Sequence, residues 1–321
     1  MRSVSLLIAA LVLMASCDRE KTIIGPKGPI VFEVSPVAYS AISSATPLGN
    51  LNPPGHTFPS DHMGFYLNGT GPHPVKAHAP GTVQDVYYNS GFDDYRIQFK
   101  HTDTFLSYLD HVENPHSRIK AGAQVQAGDS IGRATGYLDI GVVDYDTTRH
   151  FIVPGRYHEK TLHCGNVYLY FTEGVRNSLL AKNRRTMEPR GGKIDFDIDG
   201  ALSGNWFLEG TPITWEASSY LYGAAQMAFV YDMWEPWKIS IVCGGGWSAA
   251  PFCCPVNGNA PDPSGVTQAS GFVKYQTIHA ASSDVVAVQL LGTRRLKVEV
   301  FANKTSGAVS GFTANAKIYI R

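Results

Sequence analysis

The sequence lacks an excess of charge of either sign, since 27 basic side chains stand against 27 acidic ones. A balanced chain offers no electrostatic attraction to a phosphate backbone, so nucleic acid is not a predicted partner. The sequence also lacks a Gly-x-Ser-x-Gly nucleophile elbow, a Walker phosphate-binding loop and a helical His-Glu-x-x-His motif. These absences exclude the serine hydrolases, nucleotide-binding proteins and helical zinc peptidases that depend on those motifs.

Long apolar runs are scarce, and the N-terminal run at residues 5–14 is too short to span a bilayer of roughly 30 Å as a helix. With a basic residue before this run and small residues after it, residues 1–16 have the pattern of a cleavable signal peptide. The following Cys17 completes a Met-Ala-Ser-Cys sequence that resembles the lipobox, the site at which bacterial lipoproteins are acylated. We therefore expect a lipid on Cys17, a lipidated tether at 17–44, and export to a membrane of the bacterial cell envelope, either periplasmic or at the cell surface.

Cysteine is scarce as well, and past Cys17 there are four, Cys164, Cys243, Cys253 and Cys254. No Cys-x-x-Cys spacing occurs among them, so a structural zinc knuckle is not predicted. In an oxidising compartment four cysteines allow two disulfides in three pairings, and we predict at least one oxidised pair. The adjacent Cys253 and Cys254 are not expected to bond to each other, because such a bridge is strained.

Glycine and proline are frequent, at 32 and 19 residues, and aromatic residues make up 11% of the chain. This composition favours a mainly β fold, and the length of the chain favours two domains. Alternating patterns at 83–88 and 95–99 predict two strands of a hairpin. We expect a β-sheet domain at 45–155, a short helical connector at 156–189, where apolar residues recur at helical spacing, and a β-rich C-terminal domain at 190–321.

Four segments of the first domain occur together in the order of a known family. They are residues 61–67, 74–83, 97–112 and 119–132. The last is the most specific, because its glycines fit tight turns between two short strands where a side chain would clash. Together the segments resemble the lysostaphin-type (LytM-like) zinc metallopeptidases, which cut peptidoglycan cross-bridges. The resemblance implies a lysostaphin-like β-sheet domain of the duplicated hybrid motif type.

The resemblance also assigns roles to residues of this sequence. In the family, zinc is held by the His and Asp of the first motif and by the second His of a terminal His-x-His. Here His62 keeps the first ligand, whereas Tyr66 and Gly141 stand at the other two ligand positions. Asp139 stands where the family has the first His of the pair, and His111 is the counterpart of the catalytic histidine. The resemblance therefore implies a degenerate site that has lost most of its zinc ligands, because catalytic zinc normally needs three protein ligands.

Two alternatives for metal binding remain open. His56, Asp61 and His62, or His62 with Asp139 and His111, could form a relocated zinc site that keeps the domain active. A weak calcium site is the second alternative, because residues 195–200 begin like a calcium loop, Asp-x-Asp-x-Asp-Gly. Trp206 stands where that loop needs a bidentate Glu, so the alternation of apolar and acidic residues at 193–198 favours a strand with one acidic face.

These observations predict a membrane-anchored envelope lipoprotein whose peptidase-like domain is a pseudoenzyme. Its expected role is that of a binding protein, scaffold or regulator of cell-wall metabolism, with peptidoglycan peptides or a cell-wall hydrolase as partner. The alternatives are an active peptidoglycan zinc endopeptidase with a non-standard ligand set and a purely structural envelope lipoprotein. Trp234 and Trp237 lie in a predicted loop, where aromatic rings either stack on sugar rings or pack against the protein.

Overall fold

The computed structural model describes residues 30–247, 252–256, 260–278 and 283–321. The predicted signal peptide, the lipid attachment residue Cys17 and most of the predicted tether lie outside the described residues. Within the described ranges, no helix is both long enough and apolar enough to cross a bilayer.

The N-terminal half of the described chain forms two antiparallel sheets. The strands of the larger sheet are β1 Ile42–Thr46, β2 Met63–Leu67, β4 Gly81–Asn89, β5 Asp94–Lys100, β6 Phe105–Val112, β7 Gln124–Val125 and β9 Tyr137–Asp144. Their order across the sheet is β1-β2-β9-β6-β5-β4-β7, while β3 His73–Lys76 and β8 Ser130–Ala134 pair separately. The predicted hairpin is confirmed, because β4 and β5 pair up to the contact between Asn89 and Asp94.

Alternation along the central strands separates the core from the opposite face of the sheet. Phe65 of β2, Leu109 of β6 and Ile140 of β9 are at most 1% exposed and enter the core. Successive side chains of a strand point to opposite faces, so the residues next to them in sequence lie on the other face. That second face carries the candidate site.

The predicted helical connector is broken into short pieces. Its helices are α1 Glu159–Leu162 and α2 Glu173–Leu180, with 3-10 turns at Pro154–Arg156 and Val167–Leu169. Elsewhere in the described chain, 3-10 turns are formed by Tyr39–Ala41, Trp215–Ser218, Tyr220–Ala225, Pro263–Gly265, Gln268–Ser270 and Ser306–Ala308. Between α1 and α2, Cys164 forms a β-bridge with Val143. A second bridge joins Phe171 to Phe32 just before α2. These pairings with distant segments therefore outweigh the helical spacing of apolar residues in this segment.

The C-terminal half forms one eight-stranded antiparallel sheet, which confirms the predicted mainly β fold with a second β-rich domain. Its strands are β10 Gly204–Leu208, β11 Gln226–Tyr231, β12 Ile239–Cys243, β13 Phe252–Pro255, β14 Val273–Gln276, β15 Val285–Gly292, β16 Arg295–Phe301 and β17 Lys317–Ile320. The order is β13-β12-β11-β10-β17-β16-β15-β14. The two edge strands meet at a bridge between Val256 and Thr277, so the sheet curves back on itself.

The two halves share a hydrophobic core. Trp206 and Phe229 lie in the core of the C-terminal sheet, whereas Phe207 joins the N-terminal core. There its ring lies 5.1 Å from that of Phe58, measured between centroids. Phe32 is fully buried in the same core, so the tether predicted at 17–44 is too long and the packed structure begins before residue 45.

The prediction of an oxidised cysteine pair is not borne out by the structure. Cys164, Cys243 and Cys253 all have free thiols, which leaves no two of the four cysteines to form a bridge. Cys164 is buried in the N-terminal core and Cys243 in the C-terminal core. Cys253 is exposed and its backbone pairs with Val242, so it lies on the face of the sheet opposite to Cys243.

Candidate functional site

The site is built on the face of the larger sheet where β2 and β9 lie side by side. Gly64 of β2 pairs directly with Asp139 of β9. His62 precedes Gly64 by two residues and therefore lies on the same face. The backbone register brings His62 and Asp139 together, and the two side chains are 8% and 4% exposed.

A β-bulge in β6 supplies the third member of the site. Tyr95 pairs with Val112 and Ile97 with Leu109, so one residue of β5 faces two residues of β6, Asp110 and His111. His111 takes the left-handed conformation with φ of 64°. Bulges re-aim side chains in this way, often beside functional sites. Here the bulge turns Asp110 toward Arg96, with which it forms an ion pair, and His111 toward Asp139.

Five side chains form a continuous chain of alternating carboxylates and imidazoles. In order, they are Asp61, His62, Asp139, His111 and Asp94. The Nδ1 of His62 lies 3.0 Å from Asp61 Oδ1 and its Nε2 lies 3.3 Å from Asp139 Oδ2. The same Asp139 oxygen lies 3.4 Å from His111 Nε2, and His111 Nδ1 lies 2.6 Å from Asp94 Oδ2. Asp139 is therefore shared by both histidines.

The carboxylates determine the charge of the two histidines. Burial opposes protonation of His111, but the hydrogen bonds and charges of Asp139 and Asp94 outweigh it and raise the pKa of His111 to about 9. Burial also opposes protonation of His62, whose pKa is nevertheless raised by Asp139 and Asp61. Burial raises the pKa of Asp139, yet His62 and His111 lower it below its usual value. At neutral pH His111 is therefore an imidazolium ion, while His62 holds a proton more tightly than an isolated histidine does.

The ring of Tyr108 fills the space beside Gly141, its paired residue on β9. A Cβ at residue 141 would lie 2.2 Å from Tyr108 Cζ and 2.4 Å from its hydroxyl oxygen. Arg96 and Lys160 lie against the ring, at 5.2 and 5.8 Å from its centroid. The buried Tyr108 hydroxyl has no hydrogen-bond partner among the described residues. Burial, with the charge of Asp61, raises the pKa of Tyr108, so this phenol stays neutral.

Tyr66 lies on the same face as His62 but is 41% exposed. Its ring packs against Tyr137 at a centroid distance of 4.8 Å. The Tyr137 hydroxyl is 3.2 Å from Thr46 Oγ1 and fills the space beside Gly64, where an added Cβ would lie 1.9 Å from it. Two tyrosines therefore occupy the space around the position at which the family has its Asp ligand.

The residues of this face do not fit the family's zinc set. Gly141 has no side chain, and the Tyr108 ring occupies the volume that a ligand at residue 141 would need. Tyr66 offers only a phenol, which would have to lose its proton to bind a metal in place of the family's carboxylate. His62 is the one family ligand that remains.

Neither of the two relocated zinc sets predicted from the sequence forms a cluster of converging ligand atoms, although some of their side chains are in contact. The His56 ring contacts that of His62 at 5.0 Å, and burial and the charge of His62 lower the pKa of His56 to about 4. Within the described ranges, one set of three His, Cys, Asp or Glu residues has its ligand atoms within 4.8 Å of one another, namely Asp94, Asp110 and His111. Arg96 already neutralises Asp110 in that set.

The calcium alternative and the predicted strand at 193–198 are both corrected. The segment is extended but belongs to no sheet. Asp195 accepts a hydrogen bond from the backbone N–H of His150, and Asp197 from that of Ile152, each at 3.1 Å. These carboxylates replace the backbone pairing of a strand. Asp199 instead pairs with Arg294, so the three carboxylates do not converge on one ion.

Sequence reasoning missed several residues of the site. Asp94 at the start of β5 holds His111, and Thr161 of α1 donates a hydrogen bond to Asp61. Thr161 lies 100 positions from Asp61, and no local pattern connects them. Tyr108 was part of the matched motif, but its role depends on the register that places it opposite Gly141.

Residues 60–139 match the model of Peptidase family M23. A search of curated proteins finds no match.

Among solved structures, the chain resembles a zinc-containing peptidase from Vibrio cholerae, with 21% identity over 36% of this chain and 37% of that chain and a TM-score of 0.30. It resembles Csd3 of Helicobacter pylori with 20% identity over 36% of this chain and 32% of that chain, with a TM-score of 0.29. The catalytic domain of lysostaphin from Staphylococcus simulans matches with 19% identity over 31% of this chain and 77% of that chain, with a TM-score of 0.26. The chain thus covers well under two thirds of the first two proteins. It contains a Peptidase family M23 domain at residues 60–139.

Proposed function

We propose that this protein is an envelope lipoprotein, anchored through Cys17, whose M23 domain binds cell-wall material without cleaving it. The observation that supports the proposal best is the packing of Tyr108 against Gly141. M23 chemistry depends on a zinc-bound water, and three protein ligands are normally needed to hold such a zinc. Packing at residue 141 removes one ligand, and Tyr66 replaces a second.

The charge of the site supports the same proposal. His62 and His111 lie on either side of Asp139, and nearby carboxylates raise the pKa of both imidazoles. A metal ion would compete with the proton that these carboxylates favour on each imidazole. The proposed role of the domain is therefore recognition of peptidoglycan peptides or of a cell-wall hydrolase, as a scaffold or regulator.

Intact peptidoglycan tests binding and cleavage in one experiment. The mature protein is incubated with purified sacculi and zinc, and the pellet and the released fragments are both measured. We expect sedimentation with the sacculi and no release of fragments above a protein-free blank. An active zinc endopeptidase, the alternative function, would release fragments with zinc, stop with a chelator and lose activity in His62→Ala. Such turnover would overturn the proposal, and so would a failure to sediment with the sacculi.

A further inference from the structure

A cleft of about 330 Å³ lies between the M23 domain and the C-terminal sheet. One wall consists of residues 50–52 and Tyr66, and the other of residues 232–234 and Cys253. This volume lies at the small end of the range for small-molecule sites, enough for about one or two sugar-sized rings. Through Tyr66, whose ring contacts Tyr137, the cleft borders the candidate site but contains none of its charged side chains.

Both walls are held in place by hydrogen bonds. Asn52 and His56 exchange two backbone hydrogen bonds of 2.9 and 3.0 Å, which fix the loop that carries residues 50–52. On the opposite wall, Asp232 Oδ1 accepts the backbone N–H groups of Trp234 and Glu235 at 2.8 and 2.7 Å. A site with walls already ordered loses little conformational entropy when a ligand binds.

Aromatic groups from both domains face the cleft. Tyr66 is 41% exposed, although large aromatic side chains usually bury more of their surface. Trp234 packs against the guanidinium of Arg184, whose central carbon lies 4.1 Å from the ring centroid. The indole N–H of Trp234 is enclosed by the protein, so Trp234 lines the cleft through its other atoms.

The polar side chains that line the cleft restrict which ligands it could bind. Asp232 carries a carboxyl group, and none of the described residues that line the cleft is a lysine or arginine, so an anionic ligand would meet no opposite charge from them. The side-chain amides of Asn50 and Asn52 have no hydrogen-bond partner in the described part of the chain. A primary amide offers two donors and one acceptor, which match the C=O and N–H of an acetamido group. Aromatic faces beside such amides suit a neutral ring that carries hydroxyl and acetamido groups.

We infer that this cleft binds an N-acetylated, uncharged sugar ring, contacted by Asn52 from the loop before the M23 domain, by Tyr66 of that domain and by Trp234 from the C-terminal domain. The inference gives the C-terminal domain a part in ligand binding, which the proposed function leaves open. It goes beyond that function, because it concerns neither the catalytic state of the domain nor its lipid anchor.

Titration calorimetry with the β-1,4-linked tetramer of N-acetylglucosamine tests the inference on the mature chain. We expect a dissociation constant of roughly 1 mM or tighter for the wild type. Tyr66→Ala and Asn52→Ala should each weaken binding by about tenfold or more, since each removes a direct contact at an exposed position. Trp237→Ala is the matched control, because Trp237 is 58% exposed in the same turn as Trp234 but does not line the cleft. Thermal unfolding of each variant confirms that the fold is retained.

The outcomes separate clearly. Binding that Tyr66→Ala and Asn52→Ala weaken and Trp237→Ala leaves within about twofold supports the cleft. No measurable binding at millimolar sugar, unchanged binding in both cleft variants, or an equal loss in Trp237→Ala overturns it. Failure here leaves the sedimentation and turnover tests of the proposed function as they stand, and zinc-dependent turnover of sacculi would overturn that function without affecting the cleft.

Discussion

Gly141 lies directly opposite Tyr108 across β6 and β9, and the Tyr108 ring fills the space that a side chain at residue 141 would occupy. The two residues are therefore complementary, because the bulk of one requires the absence of a side chain in the other. A zinc ligand at residue 141 is therefore excluded for two reasons: glycine has no side chain, and the Tyr108 ring fills the space that a side chain would need.

Gly141→Ala should lower the free energy of unfolding by about 1–3 kcal/mol, because the new methyl group clashes with the Tyr108 ring. In a Tyr108→Ala background the same change should cost less than about 0.5 kcal/mol, since the ring is gone. Denaturant unfolding of the four proteins gives the coupling energy. Gly174→Ala is the control. Gly174 lies in α2 with open space around its Cβ position, so alanine should stabilise the protein through its higher helix propensity. Equal costs in both backgrounds would disprove the steric relationship.

Asp139→Asn should destabilise the protein by roughly 3–5 kcal/mol, because it removes the carboxylate that pairs with both the buried His62 and the partly buried His111. The pKa of His111 should fall toward 6.5 at the same time, which NMR titration of the imidazole measures. Asp103→Asn, which breaks a surface ion pair with Lys100, should leave stability almost unchanged. A His111 pKa that stays near 9 in Asp139→Asn would show that Asp139 is not its main partner.

Stability should also depend on pH through His111. Its pKa is raised in the folded state to about 9, above the value of about 6.5 expected in the unfolded chain. The folded state then binds the proton more tightly, so this stabilisation is complete below pH 6.5 and disappears as the pH rises through 9. Unfolding free energies measured from pH 6 to 10 should fall over this window. His111→Asn should flatten the fall, because asparagine tolerates the left-handed backbone and does not titrate. If the unfolding free energy falls equally steeply in His111→Asn, a titrating group other than His111 causes the fall.

The lipid anchor is tested with Cys17→Ser in a bacterial host. Wild-type protein should carry acyl chains on its N-terminal cysteine and fractionate with membranes, because several chains bury enough methylene groups for stable anchoring. Cys17→Ser should lose acyl labelling and appear in the soluble envelope fraction. Membrane association that survives this substitution, together with an unmodified wild-type N-terminal peptide, would refute the anchor.

The sequence predicted the mainly β fold and its second β-rich domain, because glycine turns and strand alternation act locally. The five-residue chain was not predictable in the same way. Asp94 enters it only through the bulge at His111, and that bulge leaves no mark in the pattern of apolar residues. The predicted strand at 193–198 failed for a related reason, since Asp195 and Asp197 satisfy backbone groups that are distant in sequence. Apolar spacing indicated a helix at 156–189, but pairing of Cys164 with Val143 prevented it.

The most direct test of the account is the zinc content of the mature, tag-free protein after incubation with equimolar zinc and removal of free metal. Because Tyr108 closes the ligand position at Gly141 and Asp139 is already paired with both His62 and His111, elemental analysis should find far less than one zinc per chain. The triple variant Tyr66→Asp, Tyr108→Ala, Gly141→His should take up more zinc than the wild type. One zinc per wild-type chain, lost in His62→Ala, would contradict the account.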